Sequence, residues 1–318
     1  MATHAKSASR DAVETSVATA GNPAAKALAR SLLGAAKPAS ALWSGDAGSA
    51  RKSRLFGLAI DNTRLGLASR ELAQAARDRR TLRVVFVNAH AINTTFTDAD
   101  FKATVSTADR IYADGSGMAI AARMCGTPLI DNVNGTDLFP LLCRDAIAAD
   151  AKIFLLGGKP GVAEKAAQTM TDFGMGAAIA GTHHGYFAHG SAEEDRVIGL
   201  INASGAKIVL VAMGVPLQDQ WAQRNASRLD ARVIAGVGGL FDFFSGSISR
   251  SPKFMRTAGC EWVWRLALEP RRMGRRYLIG NAVFLMHAAR EAAQLRGWLR
   301  TPKAKSGLAV SNGTAKVR

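Results

Sequence analysis

The sequence predicts a doubly wound, Rossmann-like α/β fold with a mainly parallel sheet, and three observations carry that reading. Short β-branched runs alternate with helical segments from about residue 55 to residue 239. One run, Lys207-Ile-Val-Leu-Val-Ala-Met213, is apolar on both faces after its first residue, as a central parallel strand must be. No internal repeat at a solenoid period competes with this organisation.

Taken in order, strands are expected at 55–60, 83–88, 110–113, 152–156, 207–213 and 232–237. Helices are expected at 69–79, 98–107, 116–125, 136–149, 160–173, 192–203 and 217–227. Several open on residues that satisfy free helix N–H groups, such as Thr97-Asp98 and Thr136-Asp137. After Gly239 the pattern changes to a helix carrying Trp262 and Trp264, followed by a basic segment starting at Pro270. The domain reading is a disordered Ala/Ser-rich tail over 1–52, a Rossmann-like core over 53–250, a helical basic appendage over 251–300, and a disordered basic tail over 301–318. A weak amphipathic helix around 24–36 is the alternative within the first tail.

Net charge is +16, and its placement says more than its size. Residues 55–250 hold nineteen Lys/Arg and nineteen Asp/Glu, whereas residues 251–300 hold ten basic and three acidic side chains. The excess therefore lies outside a neutral body. A nucleic-acid enzyme more often carries a basic stripe across its core, so no nucleic-acid partner is expected. The three cysteines, Cys125, Cys143 and Cys260, lack metal-ligand spacing and fit a reducing compartment. The longest apolar stretches fall short of the roughly 20 residues that cross a bilayer, and no secretory signal is visible.

In a doubly wound fold, ligands bind beyond the carboxyl ends of the strands, where loops enter helix N-termini. The candidate residues at those ends are Asn88, Asp114 with Gly115, Asn134 with Gly135 and Asp137, Gly157 with Gly158, Tyr186, Gln218, and Gly238 with Gly239. Asp114 could take a proton from a substrate hydroxyl, or cap the helix that follows. Gly157-Gly-Lys-Pro-Gly161 suits a phosphate cradle or a plain tight turn, and it is neither a complete P-loop nor a dinucleotide fingerprint. Asp98-Ala-Asp100 formally matches a metal-holding D-x-D, but its place at a helix start favours capping. His183, His184 and His189 have no carboxylate or thiol at zinc-like spacing and are read as loop residues. On one continuous helix, Arg271, Arg272, Arg275 and Arg276 would span a face about 140° wide. Glu269 alone cannot balance them, so an external phosphate or lipid headgroup is the expected partner.

The ordered series Asn88-Ala-His, Ala113-Asp-Gly-Ser-Gly, Asn134-Gly-Thr-Asp-Leu, Phe154-Leu-Leu-Gly-Gly, Gly185-Tyr-Phe, Gly214-Val-Pro-Leu-Gln-Asp and Gly238-Gly-Leu-Phe-Asp resembles the WecG/TagA/CpsF family of glycosyltransferases. So do Arg250-Ser-Pro-Lys, Glu261-Trp and Arg265-Leu-Ala-Leu-Glu-Pro-Arg-Arg-Met-Gly-Arg-Arg-Tyr277. The resemblance covers about residues 55–280 and implies an inverting hexosyl- or N-acetylmannosaminyl-type transferase using a UDP-sugar. It implies a polyprenyl-diphosphate-linked saccharide as acceptor, in exopolysaccharide or cell-envelope polysaccharide synthesis. The enzyme would be cytoplasmic and peripheral on the anionic inner face of the cell membrane. Carried over residue by residue, Asp114 is the implied base, and Asn88 and Gln218 are implied sugar-donor contacts. Arg265, Arg271, Arg272, Arg275 and Arg276 would meet the acceptor diphosphate or membrane. The UDP-sugar is substrate, so neither a cofactor nor a metal is expected. Phe86, Asn132 and Asp219 depart from the common family pattern, and the first two positions could face the donor sugar. A nucleotide- or nucleic-acid-binding protein without transfer activity is the alternative, and an NAD-dependent oxidoreductase lacks its fingerprint. Oligomeric state is not encoded legibly, although exchange with a homo-oligomer could free the appendage to reach a membrane.

Overall fold

The computed structural model describes residues 51–249 and 260–297, together with Ala27, Arg30, Ser31, Ser251, Pro252 and Met255. The two expected tails lie outside the described residues except at these positions and at Arg51 and Lys52. Arg250, Lys253, Phe254, Ala258 and the Arg272 side chain also lie outside them.

The continuously described part opens with a hairpin of β1 (Arg51–Leu55) and β2 (Leu58–Asn62), which forms its own two-stranded antiparallel sheet. The strand expected at 55–60 therefore straddles a turn. Phe56 and Gly57 both take positive φ there, as the hairpin's tight connection demands. Helix α1 (Leu65–Arg77) leads to β3 (Leu82–Val87), α2 (Ala89–Thr97), α3 (Ala99–Ser106) and β4 (Arg110–Ala113). Then follow α4 (Ser116–Met124), α5 (Gly135–Ala148), β5 (Ile153–Gly157), α6 (Val162–Asp172), β6 (Ile179–His183) and α7 (Ala192–Ala203). The body closes with β7 (Ile208–Ala212), α8 (Leu217–Asn225), β8 (Val233–Gly236) and α9 (Leu240–Phe244). Helices α2 and the edge strand β6 have no counterpart among the expected elements.

Strands β3 to β8 pair in parallel, in the order β4-β3-β8-β7-β5-β6. This is the expected α/β, Rossmann-like class. Alternate residues of each strand feed opposite faces. Val84, Leu155, Leu210 and Ala235 join α1, α5, α6 and α9 on one side. Val85, Val87 and Ile111 join α2, α3 and α4 on the other, where Val209, Val211 and Ile234 meet α7 and α8. Neighbouring strands β3 and β8 thus send their following helices, α2 and α9, to opposite faces. That divergence opens a crevice at their carboxyl ends.

The C-terminal part runs through α10 (Glu261–Leu268) and α11 (Pro270–Gly274), a π-helical turn (Arg275–Ile279), and α12 (Gly280–Leu295). The basic segment is therefore helical throughout but not a regular α-helix, because a π-helical turn interrupts its hydrogen-bond pattern. Although α12 falls within the range assigned to the appendage, Phe284 and Ala288 are buried in the same cluster as β3 and β4. The Phe56 ring lies 5.5 Å from that of Phe284, and the Phe56 N–H donates to Glu291 Oε1 at 2.6 Å. The hairpin therefore ties α12 to the body. Among the described residues no helix is long and apolar enough to cross a membrane.

Gly117 is what lets α12 come this close. A Cβ there would meet Phe284 Cε1 at 3.4 Å and Ala89 Cβ at 3.6 Å, so one methyl fits and a branched chain does not. We expect Gly117→Ala to be neutral or stabilising, because it removes a glycine from a helix. Gly117→Leu should cost about 1–3 kcal/mol by overpacking. Thermal denaturation of the two variants checks this, and equal midpoints would refute the packing.

Candidate active site

The crevice is built from strand ends. Asp114 follows β4 directly, and its N–H donates to Val87 O at 2.9 Å, extending the β3–β4 ladder by one step. It is half-buried at the carboxyl end of β4. Asn88 lies beside it at the end of β3, where its Oδ1 accepts the N–H groups of His90 and Ala91, each at 3.1 Å, and so caps α2. With Oδ1 committed, the amide's donor end is left to make the side-chain hydrogen bond with Asp114. Asp114 does not cap the helix that follows it: α4 has Gly115 at its N-cap and no side-chain cap hydrogen bond.

Withdrawal from bulk water pushes the Asp114 carboxyl up to about 6. Arg265 and the Asn88 amide pull the other way, while Glu261 and Asp137 add to the rise. Arg265 and Glu261 both belong to α10. The appendage is therefore seated against the candidate base.

Gly115 follows at φ 91°, a conformation that favours glycine, and its N–H donates to Asn132 Oδ1 at 2.8 Å. Asn132 is thus engaged with the Asp114 loop, and Phe86 is buried with its ring 5.7 Å from that of Tyr112. Phe86 thus serves the protein's own packing, whereas Asn132 is exposed and holds the Gly115 N–H. The loop before Asn132 is anchored in turn, with Asp131 Oδ2 accepting the Leu65 N–H and Asn62 Oδ1 accepting that of Ile130.

Asn134, rather than Thr136, caps α5. Its Oδ1 accepts the Asp137 N–H and its Nδ2 donates to Asp137 Oδ2, both at 2.8 Å. Gly135 packs beneath, where a Cβ would lie 3.5 Å from Val237 and Leu240. A Cβ on Gly157 would fall 2.4 Å from Ala212 O, and the Gly158 N–H donates to that same oxygen at 2.9 Å. Gly157 is dictated by close approach of the β7 backbone and Gly158 by the Val162 side chain, which favours the tight-turn reading. Gly185 packs on Gly157 in turn, leaving the next residue, Tyr186, 64% exposed.

Gln218 is only 2% exposed. Its Oε1 accepts the N–H groups of Gly214 at 3.2 Å and Gly238 at 2.9 Å, which places it under the crevice floor. Gly239 opens α9, and a Cβ there would come 3.4 Å from Asp242 Oδ2 and 3.8 Å from the Arg265 guanidinium.

The arginines divide. Arg276 lies near enough to His90 that it adds to burial in pushing that imidazole down to about 4. Arg271 and Arg275 are exposed. Asp98 Oδ1 caps α3 through the Phe101 N–H at 2.8 Å, in line with the capping reading of that D-x-D. Among the described residues no group of three or more His, Cys, Asp or Glu is placed to hold a metal ion. Three positions of interest lay outside the candidate set: Asn132, Asp242 and Glu261. Glu261 and Asp242 stood within the family motifs, whereas the Asn132 contact had no local signal.

A model of the WecG/TagA/CpsF glycosyl transferase family matches residues 53–297. The chain belongs to that family, and it is a glycosyltransferase of cell-envelope polysaccharide synthesis.

The raised Asp114 carboxyl has a definite sign. Its folded value exceeds the usual carboxylate value, so ionisation opposes folding. The penalty is absent below about pH 4 and complete above about pH 6. Carboxyl ¹³C titration of Asp114 should give a midpoint near 6. Glu261→Gln should lower that midpoint and Arg265→Ala should raise it; a midpoint indifferent to both would mean that α10 is not seated here in solution.

Proposed function

We propose that the chain moves a hexose or N-acetylhexosamine-type sugar, with inversion, from a UDP-sugar to a polyprenyl-diphosphate-linked saccharide at the cytoplasmic face of the membrane. The observation that carries this reading is the Asp114 carboxyl, held at the carboxyl end of β4 between Asn88 and Arg265 with its basicity raised. A base of this strength is ionised at neutral pH and still able to accept a proton.

The acceptor hydroxyl gives its proton to Asp114 as its oxygen bonds to the anomeric carbon. The bond from that carbon to the UDP oxygen breaks on the opposite face, and UDP leaves with the bonding pair. Stabilising the departing diphosphate requires fixed positive charge close by. Arg265, placed near Gly239 and Asp114, is the inward-facing candidate from α10. Helix N-termini at Gly115 and Gly135, with Asn134 and Asp137, line the same end of the sheet. The exposed Tyr186 ring, next to the Gly157–Gly158 turn, offers a stacking surface for the nucleotide.

Arg276, facing His90, suits the acceptor diphosphate. Arg271 and Arg275 point outward, and the chain continues into Leu278 and Ile279, 63% and 59% exposed, and Met286, 61% exposed. Cations followed by exposed apolar side chains suit an anionic membrane surface.

Asp114→Asn should lower transfer to lipid-linked acceptor by about 10²–10⁴-fold, while UDP still binds by calorimetry. Near-normal turnover in that variant would refute the mechanism.

Arg271→Ala and Arg275→Ala should each weaken flotation with vesicles containing anionic lipid by about fivefold, the effect of roughly 1 kcal/mol per cation near the surface. Arg276→Ala should reduce turnover with little effect on flotation. Unchanged flotation in the Arg271→Ala, Arg275→Ala double variant would rule out this membrane contact.

A further inference from the structure

We propose that Gln218 and Asp219 form a buried staple that holds together the glycine turns ending β7 and β8, acting on the substrate only through those turns. Its consequence for donor binding rests on the UDP-sugar reading above, but the staple itself does not.

Both side chains are essentially inaccessible, at 2% and 1% exposure, so neither can touch a ligand in the crevice without rearrangement. Gly214 takes φ 83° and Gly238 φ 59°. A Cβ at either would meet nothing within 4 Å. Glycine is needed at these turns for backbone conformation, not for space. Such turns leave N–H groups that a strand ladder no longer pairs, and a buried N–H without a partner is costly. Gln218 Oε1 satisfies both. A carbonyl oxygen has two acceptor positions, and here one takes the Gly214 N–H at 3.2 Å and the other the Gly238 N–H at 2.9 Å. The Gly214 turn is gripped at its other side too, because its carbonyl accepts the Gln218 backbone N–H at 2.9 Å.

This arrangement works only if the amide keeps its oxygen toward the turns, and the two N–H groups there hold it so, with Asp219 packed beside its nitrogen end. A Cβ on Gly236 would lie 2.8 Å from Gln218 Nε2 and 2.3 Å from Asp219 Oδ1, so the amide's nitrogen end and the carboxyl meet over the same bare Cα. Flipping the amide would set its N–H₂ against two backbone N–H groups. Gly236 is therefore the third part of the staple, the position whose missing side chain makes room. Burial pushes the Asp219 carboxyl up to about 7, against the two groups that face it and favour its charged form, the Gln218 amide and Arg83 of β3. Arg83 is itself held by Thr104 O and Thr107 Oγ1. Gln218 and Asp219 are positioning residues on this view.

Amide hydrogen exchange on the full chain, without ligand, tests it. In the wild type, the Gly214 and Gly238 N–H groups should be protected. In Gln218→Leu and Asp219→Leu both should exchange about tenfold faster, as loss of one net hydrogen bond implies, while Val85 and Leu210 in the sheet stay as slow as before. Asp219→Asn keeps the packing over Gly236 and should restore wild-type protection. Wild-type Gly214 and Gly238 amides exchanging at unprotected rates would overturn the staple even if every variant failed to fold. So would unchanged protection in a folded Gln218→Leu. With UDP as probe, Gln218→Leu should bind about tenfold more weakly and Asp219→Asn as the wild type does. Protection lost in Gln218→Leu, with no UDP binding to the wild type at all, would support the staple and count against the donor reading alone.

Discussion

A carboxyl group withdrawn from bulk water at the end of β4 needs neighbours that favour its charged form, and the fold draws them from two distant parts of the chain. Asn88 comes from the adjacent strand and Arg265 from α10, 151 positions after Asp114. The body alone would leave Asp114 with one neutral donor and with Asp137, a neighbour that opposes its ionisation. Seating α10 adds a cation and a further carboxylate together. The basicity of the candidate base is therefore a property of the assembled body and appendage. It also explains why α12 is packed so firmly, through Phe284, Gly117 and the Phe56–Glu291 hydrogen bond: a loosely held appendage could not place Arg265 reproducibly.

Much of this was legible in the sequence, and the failures have physical causes. Strands such as β7 announce themselves because a parallel strand buried on both faces reads as an unbroken apolar run. The hairpin turn was hidden because Phe56 is not a turn residue. Its positive φ is tolerated where its ring packs near Phe284 and its N–H is taken by Glu291, 235 positions away. Helix α2 was hidden because Asn88-Ala-His90 carries no helical periodicity, and its cap is recognisable only once Asn88 is seen at a strand end. Strand β6 is an edge strand of half-buried residues and gives a weak signal. The arginine segment was read as a regular helix, and no local pattern betrays the π-helical turn at Arg275–Ile279. There the Asn93 amide donates to Gly280 O at 2.7 Å, across 187 positions.

The glycines at the strand ends show where residue type was read correctly and its reason was not. Close approach of a ligand and close approach of the protein's own backbone ask for the same residue. Gly157 admits the β7 backbone, Gly117 admits Phe284, and Gly236 admits Gln218 with Asp219. At all three the missing side chain is filled by protein. Gly115, Gly214 and Gly238 differ, because their surroundings are open and their positive φ is what excludes a side chain. Only this second group leaves free space at the crevice. A family motif rich in glycine is thus two superimposed requirements, one of packing and one of turn geometry around the ligand.

The division of the arginines completes the account of the charge. A neutral body with basic ends could mean only a sticky surface. The structure instead turns Arg265 and Arg276 inward and leaves Arg271 and Arg275 outside. His90, beside Arg276, is held down to about 4 by burial and by that guanidinium, so it is neutral throughout the range in which Asp114 titrates. The inward positive charge is then carried by guanidinium groups that never lose a proton at such pH. Near the base, what responds to pH is the carboxylate, and the cations that would receive a diphosphate stay fixed. The candidate base and the cations proposed for an anion can therefore occupy one crevice without their protonation states interfering.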